Sequence, residues 1–251
     1  MRPLRLALFG LVLFAAPALA QTNGPSLGAK AVENAKALQA HATEIAAAGK
    51  RMDLTRAPAR DHFQKIVDLK GLAALPAPAA SDMPWMIEVL QAVTITNRSV
   101  LFFAADPAKF SAPDTQATLL KNVRQYEDEL AALSVFQIKL MPRLMVAADA
   151  FMATLSAEER ASKVRQEGFA KMRRGYIEAI QGALGFAADP QTKGSNVQAI
   201  TTAVSESLTV WTKIATPDDR KTLSYIVAAL REKPVDGKTN GNLAALTSAL
   251  N

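Results

Sequence analysis

The chain is expected to fold as an all-α protein, an antiparallel helical bundle of about seven helices. Three observations predict it. Apolar residues recur at three- and four-residue spacing along nearly the whole length. Several of these stretches are preceded by helix start signals, a Ser, Thr or Asp followed by a proline or by an acid three residues on. No convincing strand interrupts them. The 251 residues include no cysteine, so disulfides and thiolate metal sites are absent and stability must come from buried apolar surface.

The first twenty residues, MRPLRLALFGLVLFAAPALA, place Arg2 and Arg5 before an apolar run from Leu6 to Ala16 and end in Ala18-Leu19-Ala20. This is the layout of a cleavable signal peptide, cut after Ala20. The apolar run is about half of the ~20 residues that span a bilayer. The expected address is periplasmic, reached without a twin-arginine pair and without a cysteine for lipid attachment. Residues 21–251 then form a single helical-bundle domain.

From Ser26 a helix is expected to about Arg51, carrying Leu27, Ala31, Ala35, Leu38 and Ile45 on one stripe. A second runs from Pro58 to Lys70 with Phe63, Ile66 and Val67 inward. The breaker-rich GLAALPAPAA reads as a Pro/Ala-rich connection at about 71–80. Ser81 opens a central helix, apolar nearly all round through Phe103; a hairpin of 93–96 with 100–103 competes, but it would have no sheet to join. A long helix is expected from Ala112 to Leu155, with a kink or break near Pro142, which removes one backbone donor. Ser156 to Glu159 is a capping box that starts a helix to about Leu184, ended by Gly185. Further helices are expected at 196–214 and, after Thr216-Pro217-Asp218-Asp219, to about Lys233. A polar GKTNGN loop and a short tail helix, 243–250, complete the chain.

The 29 Lys and Arg and the 23 Asp and Glu give +6. Arg2 and Arg5 lie in the leader, so the mature chain keeps 27 bases against 23 acids, +4. That balance and the export signal argue against nucleic acid as a partner. No second stretch is both long and free of polar residues, so no membrane span is expected after the leader.

Four groups of residues invite a chemical reading. His41 and Glu44 share a helix face and His62 lies on the next helix, so the pair of helices offers candidate metal ligands; the order His-x-x-Glu is the reverse of the helical di-iron pattern. The methionine pairs Met83/Met86 and Met141/Met145 fall on apolar phases, where methionine ordinarily fills core gaps. Arg160, Lys163, Lys171 and Arg174 form a basic stripe that could meet an anionic membrane surface, although a solvated helix face has the same pattern. Glu88, Arg98 and Asp149 stand in apolar surroundings and are candidate ligand-binding residues, since buried charge must be paired or shift its pKa. Inter-helix ion pairs have the same signature.

No nucleophile elbow, zincin motif or phosphate loop is present. No cofactor is expected. The leading expectation is a non-enzymatic exported bundle that binds an envelope protein or a small ligand. The alternatives are an enzyme using carboxylates such as Glu88 and Asp149 in an inter-helix cleft, and a metal or haem carrier using His41 or His62 with methionine.

Overall fold

The computed structural model describes residues 27–251. The leader, its cleavage point and the Ser26 cap lie outside the described residues. Among the described residues there are twelve α-helices and no strand. They are α1 (Leu27–Ala47), α2 (Ala59–Ile66), α3 (Leu69–Ala74), α4 (Met83–Leu101), α5 (Pro113–Gln125), α6 (Glu127–Thr154), α7 (Ala157–Ala161), α8 (Lys163–Ala188), α9 (Gly194–Glu206), α10 (Leu208–Trp211), α11 (Pro217–Arg231) and α12 (Gly237–Leu250). The protein is therefore an all-α bundle, and the hairpin alternative for 93–103 gives way to the continuous helix α4.

The count exceeds seven because four of the expected helices are each divided. At 67–68 the Asp68 carboxylate accepts the Gly71 N–H and starts α3 afresh, inside what reads as an extended Pro/Ala connection. At Tyr126 the backbone leaves the helical region, and the phenol donates to the Met52 carbonyl 3.1 Å away. At Ser162 the chain is extended for one residue between α7 and α8. At Ser207 the Val204 carbonyl accepts the Ser207 N–H, the Ser207 hydroxyl and the Trp211 indole N–H, at 3.2, 3.0 and 3.1 Å.

Pro142 does not break the chain: α6 is helical on both sides of it. Two helix ends also differ from expectation. α1 stops at Ala47 because Gly49 takes a left-handed φ of 64° and closes a Schellman motif, with Gly49 N–H on Ala46 and Lys50 N–H on Ile45, both 3.0 Å. Gly185 lies inside α8, which ends instead at Ala188. There the Lys233 ammonium donates to the carbonyls of Ala187, Asp189 and Thr192. The polar GKTNGN stretch is the start of α12, because Asp236 caps it through the Thr239 N–H at 2.7 Å. The capping boxes at Ser156/Glu159 and Thr216/Asp219 form with both halves in place.

The chain divides into two compact units between Phe136 and Gln137, inside α6 rather than at the Pro/Ala stretch. In the first, α1 packs along α4, α2 packs on both, and α5 packs on α4. Gly28 meets Trp85 and Glu88 at one end, while Ala42 and Ala46 share a hollow with Arg98 and Phe102 at the other, so the two helices run parallel. The buried face of α1 is Gly28, Ala31, Ala35, Leu38 and Ala42, a three-four alternation made almost wholly of the smallest side chains.

In the second unit α8, α9, α12 and α11 form a ring in which each helix packs on two neighbours. The hydrogen bonds Gln198–Asp236 and Asn242–Thr202 advance together along α9 and α12, so these run parallel. Asp219 meets Arg174 and Gln181 while Lys233 meets the end of α8, so α8 and α11 run parallel too. The link from α9 to α11 therefore crosses the ring diagonally. It carries Trp211, fully buried, through that crossing.

Among the described residues α6 is long and apolar enough to cross a membrane by length and composition, but 67% of its most apolar stretch is buried in protein. That burial is the pattern of a core helix.

Candidate functional site

The hollow in the first unit has a volume of about 280 Å³. Its floor is the last two turns of α1, with Gln39, Ala42, Thr43 and Ala46. One wall is the end of α4, with Arg98, Ser99 and Phe102, and the lip is the segment from Phe103 to Pro107. The lip is fixed from behind. The buried Asn122 amide donates to the carbonyls of Leu101 and Phe103, both at 2.8 Å. The rings of Phe103 and Tyr126 meet in a T-shaped contact, centroids 6.2 Å apart, and burial pushes the Tyr126 phenol up to about 12. Between these anchors Ala104 is held at φ 56°, a left-handed conformation that costs a side-chain-bearing residue about 1–2 kcal/mol. Strain of this kind persists only where the surroundings over-determine it, and it concentrates at functional segments.

The polar groups of the hollow are unequal. The Thr43 hydroxyl donates to the Gln39 carbonyl at 3.0 Å and the Ser99 hydroxyl to Ile95 at 2.8 Å, so both protons are committed to their own helices. Arg98 is exposed, and its guanidinium has no hydrogen bond or ion pair among the described residues.

Of the residues singled out by sequence, Arg98 alone lines this hollow. Glu88 is half-buried on α4 and packs on Gly28 of α1. Asp149 is not in an apolar environment: its side chain is 73% exposed and pairs with Arg173 at 3.8 Å. Glu88 belongs to the first unit and Asp149 to the second. His62 Nδ1 lies 3.0 Å from Asn34 Oδ1, so α2 is tied to α1 through an amide. His41 is half-buried, Glu44 is exposed, and no cluster of three potential metal ligands forms among the described residues. Met83, Met86, Met141 and Met145 are all core.

No family model, no curated protein and no solved structure matches the chain.

The break at Ser162 separates Arg160, on α7, from Lys163, Lys171 and Arg174, on α8. Two of the four cations of the stripe are also paired. Lys163 pairs with Glu167 at 3.9 Å, and Arg174 with Glu178 at 2.8 Å and with the buried Asp219 at 3.1 Å. Arg165 and Arg173 are likewise paired, with Glu159 and Asp149. The carboxyl of Glu159 is held below its ordinary value by the Ser156 N–H.

Sequence reading missed the hollow because most of it is alanine and phenylalanine at positions indistinguishable from core. It also missed a second hollow, about 360 Å³, where Ser224, Arg231 and Glu232 of the α11 region face Thr247 and Leu250 of α12. That one sets a cation and an acid side by side and has no strained or clamped wall. The only sequence signal for the first hollow is Arg98, a cation in an otherwise apolar helix.

Proposed function

We propose that this chain is an exported binding protein, directed out of the cytoplasm by residues 1–20, that holds a small ligand in the hollow between α1, the end of α4 and the loop after it. The observation that carries the reading is the construction of that hollow. Its lip is clamped by Asn122 and strained at Ala104, and its rim carries an arginine with no internal partner. The volume is near the small end of ligand pockets, roughly 300–1,000 Å³, and the lining is polar and apolar in nearly equal parts, more polar than is usual for such a pocket. The enzyme reading has less behind it, because Asp149 is an exposed member of an ion pair.

The test uses mature protein and the uncharged fluorescent probe phenylnaphthylamine. Saturable binding that is lost in Ala46→Trp, which fills the hollow, supports the reading; binding unchanged by that substitution, or no saturable binding, overturns it. N-terminal sequencing of protein recovered from the cell envelope is expected to begin at Gln21. A start at Met1 would overturn the export half of the proposal.

A further inference from the structure

We infer that the hollow at the end of α1 and α4 selects ligands carrying an anionic group on a flat apolar body, with the Arg98 guanidinium as the anchor for the anion. The inference rests on the proposal that this hollow is the binding site, and the argument is one of donors and acceptors. Thr43 and Ser99 have spent their protons on the carbonyls of Gln39 and Ile95, so toward a ligand they only accept. The strong donors left at the hollow are the five N–H groups of Arg98 and the amide of Gln39. A ligand that satisfies them must be rich in acceptors, and a carboxylate, sulfonate or phosphate meets a guanidinium in a two-point fork that a neutral group does not.

The charge around the anchor agrees. Arg98 sits in the last turn of α4, whose carbonyl end carries roughly half a negative charge. That offsets part of the guanidinium and leaves net positive potential. The acids adjacent in sequence to lining residues are Glu44, beside Thr43, and Asp106, between Ala105 and Pro107, and neither lines the hollow. Asp106 is engaged by the Ala108 N–H at 2.9 Å and by Lys109 at 3.9 Å. The remaining surface is Ala42, Ala46, Ala105 and Phe102, smooth apolar walls against which a ring can lie.

Two probes of nearly equal shape test this: anilinonaphthalene sulfonate, which is anionic, and phenylnaphthylamine, which is not. The anionic probe is expected to bind the mature protein more tightly. Arg98→Ala and Arg98→Gln are expected to weaken it by about ten- to a hundredfold, the loss typical of a charged hydrogen-bonded contact, while changing the neutral probe by less than about twofold. Arg98→Lys should keep part of the preference. Raising salt from roughly 0.05 to 0.5 M should weaken only the anionic probe.

Ala46→Trp separates the two levels of the claim. If it abolishes binding of both probes while Arg98→Ala leaves the anionic probe unchanged, the hollow is the site and the anion preference is wrong. If both probes bind Ala46→Trp as they bind the parent, the site itself is wrong. Should Ala46→Trp fail to fold by circular dichroism, Thr43→Trp fills the same hollow from an exposed position.

Discussion

The two units solve the problem of packing helices without cross-links in opposite ways. In the first, α1 offers α4 a face of glycine and alanine, so the two backbones come close and little side-chain volume lies between them. In the second, the ring of α8, α9, α11 and α12 is filled by large side chains, Trp211, Tyr176, Ile177, Ile180 and Leu223 among them. Its ends are tied by charged groups on carbonyls, as at Lys233. The difference matters for where a ligand can sit. A small-residue seam has no long side chains to fill the space where the helices end, and the hollow opens at that point. The middle of the ring is filled by its diagonal crossing and by the tryptophan in it, and the hollow of that unit lies between α11 and α12 instead.

The largest effect is expected from Trp211→Ala, which empties the crossing and removes the indole bond to Val204. Urea unfolding should show a loss of about 3–5 kcal/mol. A loss under about 1 kcal/mol would mean the ring does not depend on its plug and the contrast is misdrawn.

Gly28→Val tests the other seam. A Cβ at Gly28 would sit 2.5 Å from the Trp85 carbonyl oxygen, too close without backbone movement. A loss of about 1–3 kcal/mol is expected. Hydrogen exchange should show it as reduced protection in α1 and α4, with α8 to α12 unaffected. Equal loss in both units would break the comparison.

Lys233→Met keeps the aliphatic stem but strips three carbonyls of their shared donor. About 1–2 kcal/mol should disappear from the unfolding free energy, and exchange should quicken at the end of α8.

Ala104→Gly relieves the left-handed strain at the lip of the hollow and is expected to raise stability by about 0.5–1 kcal/mol, net of the entropy glycine loses on folding. An unchanged or lower melting temperature would show that the strain has no energetic weight.

The smallest effect is a pH dependence at the start of α12. The Asp236 carboxyl is acidified below its ordinary 3.8 by the Thr239 N–H first and by the Gln198 amide among lesser contributions. Its contribution is present above that ordinary value and fades as pH falls through the lower folded-state value. Asp236→Asn should flatten part of the acid limb of the stability curve below about pH 4 and leave the neutral region nearly unchanged. An acid limb identical to the parent's would count against the cap.

How much of this was legible beforehand varies with the physics. Helix starts were, because a cap is written in a few adjacent residues: Ser156 with Glu159, and Thr216 with Asp219. Helix interruptions were not, because they depend on distant partners. Nothing near Tyr126 announces that its phenol will reach Met52, and nothing near Ser207 says that Trp211 will take the Val204 carbonyl. The start of α12 was hidden by two glycines and two asparagines that disfavour helix on their own. Asp236, Gln198 and Thr202 overrule that preference.

Among the candidate residues, Asp149 misled because its helix is apolar on more than one side. Val146, three positions earlier, is also 48% exposed. Neighbouring apolar residues then no longer indicate which phase is inside. Arg98 drew attention as a charge in apolar company, although its head group is in solvent and only the adjacent hollow gives it a role. Glu88 stands between these cases, its position tied to the one glycine of the α1 seam.

The diagonal crossing has a further consequence, for the order in which the chain can become stable. Each helix of the ring depends on one partner close in sequence and another tens of residues away, so the hairpin of α8 and α9 has only half of its neighbours until α11 and α12 have been made. Deleting α12 would therefore expose the inward sides of α9 and α11 together, rather than trimming one edge. A protein shortened at Asp236 should be rescued by supplying residues 236–251 as a separate peptide, and the dependence of that rescue on peptide concentration would measure how strongly the last helix shuts the ring.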